Sequence, residues 1–171
     1  QSLFMDKELG ISMDTLPLIV SSVFWFAIIG KLLIGYLSDH FNKILMMFVV
    51  IVILIGGLVI LRLSSANNIF SLYCYAAFFG IGYSGTFTMI QLVIAEFYSG
   101  RPYGKILGVL TMVDVGAGGI AITVLAKMAD AYKSYMPVFE MLIGLTCIVA
   151  VLILLLYKMR RNVPRDAQPA V

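Results

Sequence analysis

Hydrophobic positions in this chain do not alternate with polar ones; they run together. Residues 15–37, 44–61, 69–95, 106–126 and 137–157 are almost continuously apolar, and polar residues gather in the short stretches between them. A helix that crosses a bilayer needs roughly 20 mostly apolar residues, with a range of about 17–25. Each run therefore predicts a membrane-spanning helix. Residues 64–68, Ser-Ser-Ala-Asn-Asn, are polar enough to read as a loop between the second and third runs. Strands are a poor alternative: the period-two pattern of a membrane barrel is missing, and an open sheet would leave backbone N–H and C=O groups unpaired in hydrocarbon. The expected fold class is an all-α integral membrane protein with five transmembrane helices, preceded by an external segment at 1–14 and followed by a tail at 162–171.

Composition sharpens this. Of 171 residues, 61% are hydrophobic and 12% charged, and the mean hydropathy is +1.02. Soluble domains hold about 45–50% apolar and about 25% charged residues, so the excess must face lipid. The net charge of +3 does not indicate a nucleic-acid partner, because the basic residues lie in small clusters between apolar runs. With alternating helices, Lys43, Arg101, Lys105, Lys158, Arg160, Arg161 and Arg165 share one side, against Lys7, Arg62, Lys127 and Lys133 on the other. The positive-inside rule makes the first side, with the C-terminus, cytoplasmic. An external N-terminus beginning at Gln1, without signal-peptide features, predicts a fragment of a longer chain. Cys74 and Cys147 lie within apolar runs and without metal or redox spacing. They read as packing residues.

Small residues mark places where helices can approach closely: Gly80, Gly82 and Gly85 in the third run, and Gly104, Gly108, Gly116, Gly118 and Gly119 in the fourth. Static packing and rocking of flexible helices are both open readings of that pattern. The loop after the first helix is more specific. Gly35-Tyr36-Leu37-Ser38-Asp39-His40-Phe41-Asn42-Lys43 resembles the G-x-L-[AS]-D-R-x-G-R-[RK] motif of major facilitator superfamily transporters. Gly35, Leu37, Ser38, Asp39 and Lys43 match it, while His40 stands where Arg is usual and Asn42 where Gly is usual. Arg101-Pro102-Tyr103-Gly104-Lys105-Ile106-Leu107-Gly108, then Ala129-Asp130, Ser134-Tyr135 and Phe139, is similar to a later region of the same superfamily, nearest its monocarboxylate and oxalate/formate porter branch.

This resemblance implies that the five helices are the eighth to twelfth of a twelve-helix fold, with an N-terminal half as partner. It implies secondary active transport of a small organic anion, by symport or antiport, in the plasma or inner membrane. It also implies a cytoplasmic gate in which Asp39 bolts two halves together, Lys43 pairs with acidic groups across the seam and Gly35 allows close packing. Independently of the family, a carboxylate suits the exposed N–H groups at a helix N-terminus.

An ionisable group deep in a span costs about 2.5–3.5 kcal/mol on insertion scales and marks a functional-site hypothesis. Lys31 lies eight residues before Asp39 and Asp114 nine after Lys105, about 12 Å and about 13–14 Å from the same side. At similar depth, their opposite charges are candidates to pair. The resemblance gives Lys31 the role of binding the substrate carboxylate, with snorkelling toward headgroups as the structural alternative. Asp114 is a candidate proton carrier, since burial raises and a nearby cation lowers a carboxyl pKa. A structural ion pair is the competing role. Ser21, Phe24, Ile28, Lys31 and Gly35 share one helical face, as do Leu107, Thr111, Asp114 and Gly118. Tyr83 and Gln91 complete the substrate-binding candidates, or make ordinary interhelical hydrogen bonds. Gly104, Gly108 and Gly118 are the expected packing positions.

A membrane enzyme is disfavoured, because His40 is the sole histidine and no metal-ligand, phosphate-loop or nucleophile pattern occurs. No cofactor or metal is expected. The remaining alternatives are a facilitator of an unrelated solute and a non-transporting assembly subunit. Glu96, Glu140, Arg62 and Trp25 carry no specific expectation beyond interfacial placement.

Overall fold

The structure is a computed structural model that describes residues 15–64, 68–98 and 102–161. The expected external segment 1–14 and tail 162–171 lie outside the described residues, as does Arg101. Among the described residues five helices follow one another: α1 Leu16–His40, α2 Lys43–Leu63, α3 Ile69–Phe97, α4 Tyr103–Tyr132 and α5 Met136–Arg161. All five are long and apolar enough to cross a membrane, and among the described residues there is no strand. The chain is an all-α membrane protein.

The helices outrun the hydrophobic stretches that announce them. Each residue added to an existing helix gains a backbone bond without renewed nucleation, so polar residues extend a span into the interface. At the end of α1, Ser38 donates its hydroxyl to the Gly35 carbonyl at 2.7 Å and Phe41 N–H reaches Leu37 O at 3.1 Å. Asp39 and His40 therefore occupy the last helical turn instead of a loop. Only Phe41 and Asn42 separate α1 from α2. Asn42 caps α2, its Oδ1 accepting the N–H groups of Ile44 at 3.0 Å and Leu45 at 3.3 Å, which satisfies donors a helix start leaves free. Asn68 caps α3 in the same way through Ser71 N–H at 3.3 Å. Across that turn Ser64 donates to Ile60 O at 2.7 Å, leaving Ser71 to donate to Ser64 at 2.7 Å. α4 ends at Lys133, whose φ of 51° is left-handed. Ser134 Oγ then accepts Met136 N–H at 3.1 Å to start α5.

α3 is the centre of the bundle, with α1 and α2 packed along it and α5 docked on α2. One buried cluster joins Ile19 of α1, Leu58 and Leu61 of α2, Leu72, Tyr75 and Ala76 of α3, and Phe139 of α5. A second joins Ile34, Met46, Val50 and Met89 across α1, α2 and α3. A third, Ile44, Ile51, Ala150 and Ile153, seals α2 to α5. Glycine sets the spacing. A Cβ at Gly80 would lie 2.6 Å from Val23 O of α1, and one at Gly82 would lie 2.7 Å from the Leu54 backbone of α2. Gly30 and Gly57 meet the α3 backbone as closely, at 2.8 Å from Ile81 Cα and Phe79 N. These contacts bring backbones together as in small-residue helix packing.

α4 is different. None of its most apolar stretch is buried, and Ala129 is its single buried residue. It touches α3 and α5 only lightly and α1 not at all. The expected packing glycines Gly104, Gly108 and Gly118 have no atom near the position of a Cβ, and neither does Gly35 on α1. Among these helices close packing resides on Gly30, Gly57, Gly80 and Gly82, because a small residue permits approach only where a second helix is present to approach.

Candidate functional site

Lys31 emerges from α1 just past Gly30, the residue pressed against α3. Its side chain is on the flank of that contact and is exposed, as are Ser21, Phe24 and Ile28 of the same stripe. Phe24 is 67% exposed. Among the described residues Lys31 has no ion-pair or hydrogen-bond partner. Asp114 sits in the middle of α4, exposed between exposed neighbours, Thr111 and Gly118 among them. Thr111 turns its hydroxyl back on Leu107 O at 2.8 Å.

The expected pairing of Lys31 with Asp114 does not form. Equal depth places two groups at one level of the bilayer but says nothing about which helices are neighbours, and α1 and α4 share no contact. Gln91 is exposed on α3. Tyr83 is half exposed and belongs to a ladder of rings along α3, stacked on Phe79 at 5.8 Å and edge-on to Phe87 at 5.1 Å. The four substrate-site candidates thus do not converge on one point within the described residues.

At the end of the bundle where α1 meets α2, the motif residues divide. Ser38 is buried and holds the helix end, whereas Asp39 is exposed with no partner among the described residues. Lys43 pairs with Glu96 at the end of α3, Nζ to Oε2 3.7 Å. That acidic partner belongs to the same set of helices, where the sequence expectation had one across a seam. At the opposite end Arg62 of α2 and Glu140 of α5 form a hydrogen-bonded ion pair. The two ion pairs therefore tie α2 at one end to α3 and at the other to α5.

Sequence reasoning passed over Glu96, Arg62 and Glu140. A signal was present for the first: the start of α2 and the end of α3 lie on one side of the membrane in consecutive spans, and they carry opposite charges. Asn42 was also readable, as a capping residue directly before an apolar run. Nothing local could announce the remaining feature, a cleft of about 410 Å3 bounded by α2, α3, α4 and the start of α5. Leu58, Phe79, Tyr83, Ile122, Phe139 and Leu142 form much of its wall, and no charged side chain lines it. Four separate helices supply those residues. Neither Lys31 nor Asp114 reaches it.

Chemically, the described residues offer two things: an apolar cleft and two unpaired intramembrane charges on uncovered helix faces. No group of His, Cys, Asp and Glu able to hold a metal occurs among them. The family model of the Major Facilitator Superfamily matches the chain over residues 1–171. No curated protein and no solved structure matches it.

Proposed function

The chain belongs to the Major Facilitator Superfamily, a family of membrane transporters, and we propose that it serves a transporter that carries a small organic anion by alternating access. The observation that carries this reading is Lys31: a cation at the middle of a span, free of any partner among the described residues, on a face no helix here covers. Such a group is retained at a cost of about 2.5–3.5 kcal/mol unless something compensates it. A substrate carboxylate is the compensating charge. Lys supplies a compact point charge for it instead of the two-pronged fork of Arg.

Asp114 is the complementary element. On its own uncovered face it is the intramembrane carboxyl available to carry a proton. Protons are then the coupling ion in either symport or exchange. Tyr83 and Gln91 supply polar contacts from α3. The uncovered faces of α1 and α4 are where a second, N-terminal half docks, which places both charges at the seam between halves, where substrate is held near the midplane. Asp39 acts at the gate of that seam, while Lys43, engaged by Glu96, fixes α2 to α3. The protein is placed in the plasma or inner membrane, with the C-terminus cytoplasmic.

Uptake of labelled monocarboxylates and oxalate into proteoliposomes bearing the full-length parent tests this, with Lys31→Gln and Lys31→Arg inserted at equal amount. Saturable uptake that Lys31→Gln abolishes and Lys31→Arg retains in part supports the anion reading. Uptake indifferent to Lys31→Gln makes Lys31 a snorkelling residue. No carboxylate uptake by the parent assigns the transporter to a different solute, and a parent inert to every solute, with the variant changing only its abundance, makes the chain an assembly subunit.

A further inference from the structure

The cleft beside α4 shares only Tyr83 with the proposed anion site, and its chemistry points elsewhere. We propose that it holds an acyl chain of a membrane lipid.

Its depth is that of hydrocarbon. Counted inward from the last residues of the apolar runs, Ala126 and Leu61, Ile122 lies four residues in and Leu58 and Leu54 three and seven. At the helical rise those intervals are about 5–11 Å, so the cleft opens at the edge of a hydrocarbon core about 30 Å thick and runs into one leaflet.

Three possible fillings can be compared. Water needs two to four polar partners in a cavity; this lining carries no charge, its hydroxyls are those of Tyr83, Tyr135 and Thr146, and the last is already given to Leu142 O at 2.7 Å, too few to hold water through a space of about 410 Å3. A void of about 410 Å3 would forfeit dispersion contacts along every wall, which packed interiors avoid. Closing α4 onto the cleft gains no hydrophobic free energy inside a bilayer, because lipid tails are as apolar as the side chains. An acyl chain satisfies the walls at no cost of dehydration, and the surrounding solvent supplies it. The stacked rings of Phe79 and Tyr83, 9° from parallel, offer it a flat side, with Ile122 and Leu125 opposite on α4. Bound there, the tail gives α4 the packing it otherwise lacks and bridges it to α3 and α5.

The test is photolabelling of the chain in phosphatidylcholine vesicles doped with a lipid whose acyl chain carries a diazirine, with adducts mapped by peptide mass. Ala126→Phe fills the cleft from the exposed side of α4; Ala121→Phe adds the same bulk to an exposed α4 position outside the cleft. Adducts concentrated at Phe79, Tyr83 and 138–146, lowered severalfold by Ala126→Phe and unchanged by Ala121→Phe, are the expected result. Leu142→Phe, from the opposite wall, should lower them as well. Adducts spread evenly over the exposed faces of α1 and α5 and insensitive to both filling variants would overturn the proposal. So would preferential labelling of the cleft by a water-soluble aromatic diazirine, which would make its occupant a solute.

Discussion

α3 and α4 are close to equal in length, 29 and 30 residues, and each carries several glycines, yet they live in opposite surroundings. The glycines of α3 face another helix at contact distance on two sides, Gly80 against α1 and Gly82 against α2. Those of α4 face open space. The same residue type therefore does different work: in α3 it lets three backbones come together, and in α4 it leaves a smooth, uncharged surface interrupted by Asp114. A glycine pattern describes a capacity for approach, and the neighbour decides whether that capacity is used. The contrast also separates a body of α1, α2, α3 and α5, joined by three buried clusters and two ion pairs, from a helix anchored mainly near its Ala129 end.

The sharpest way to break this comparison is to add a side chain on each side of it. Gly82→Leu should abolish folded protein, because even its Cβ would fall 2.7 Å from the Leu54 backbone. Gly118→Leu should leave yield and size-exclusion profile intact. Equal loss in both would show α4 to be packed as tightly as α3. The milder pair refines the scale: Gly82→Ala is expected to cost about 1–3 kcal/mol through overpacking, seen as a lower melting temperature in detergent. Gly118→Ala, in open space, should be neutral or gain up to about 1 kcal/mol of helix propensity. Asn42→Ala removes the cap that starts α2 in the packed body, and a loss of about 1 kcal/mol is expected from the same melting measurement.

The smallest effects concern the two ion pairs. A double-mutant cycle on Lys43 and Glu96, whose side chains are 30% and 20% exposed, should give a coupling of up to about 1 kcal/mol, fading with salt. The cycle on Arg62 and Glu140, 39% and 59% exposed, should give less because solvent screens it more. A larger value for the second pair would mean that the α2–α5 end is shielded by something beyond these helices.

Much of the fold was legible because crossing a membrane is a matter of length. Five nearly continuous apolar runs require five spans whatever their arrangement, and Asn42 and Asn68 mark two starts by local chemistry. The helix ends were less legible: Ser38, Asp39 and His40 look like loop residues by polarity, yet backbone hydrogen bonding carries them into α1. Lys31 and Asp114 stood out as intramembrane charges, and the structure leaves both without partners among the described residues. Their expected mutual pairing failed because depth along a helix follows from counting residues, whereas adjacency between helices does not. Glu140 and Arg62 met across 78 positions of sequence for the same reason in reverse.

What the sequence by itself determined, then, is the number of spans, the membrane environment and the charges that must be accounted for within it. These depend on hydrophobic length and on the cost of burying ions, both of which can be read residue by residue. Only the tertiary structure decided which glycines are contacts, which ion pairs close and that an apolar cleft opens beside α4. Those depend on the angle at which each helix presents its faces and on which neighbour it presents them to, and a bilayer exerts no hydrophobic force between helices that would make an apolar face declare its partner in advance.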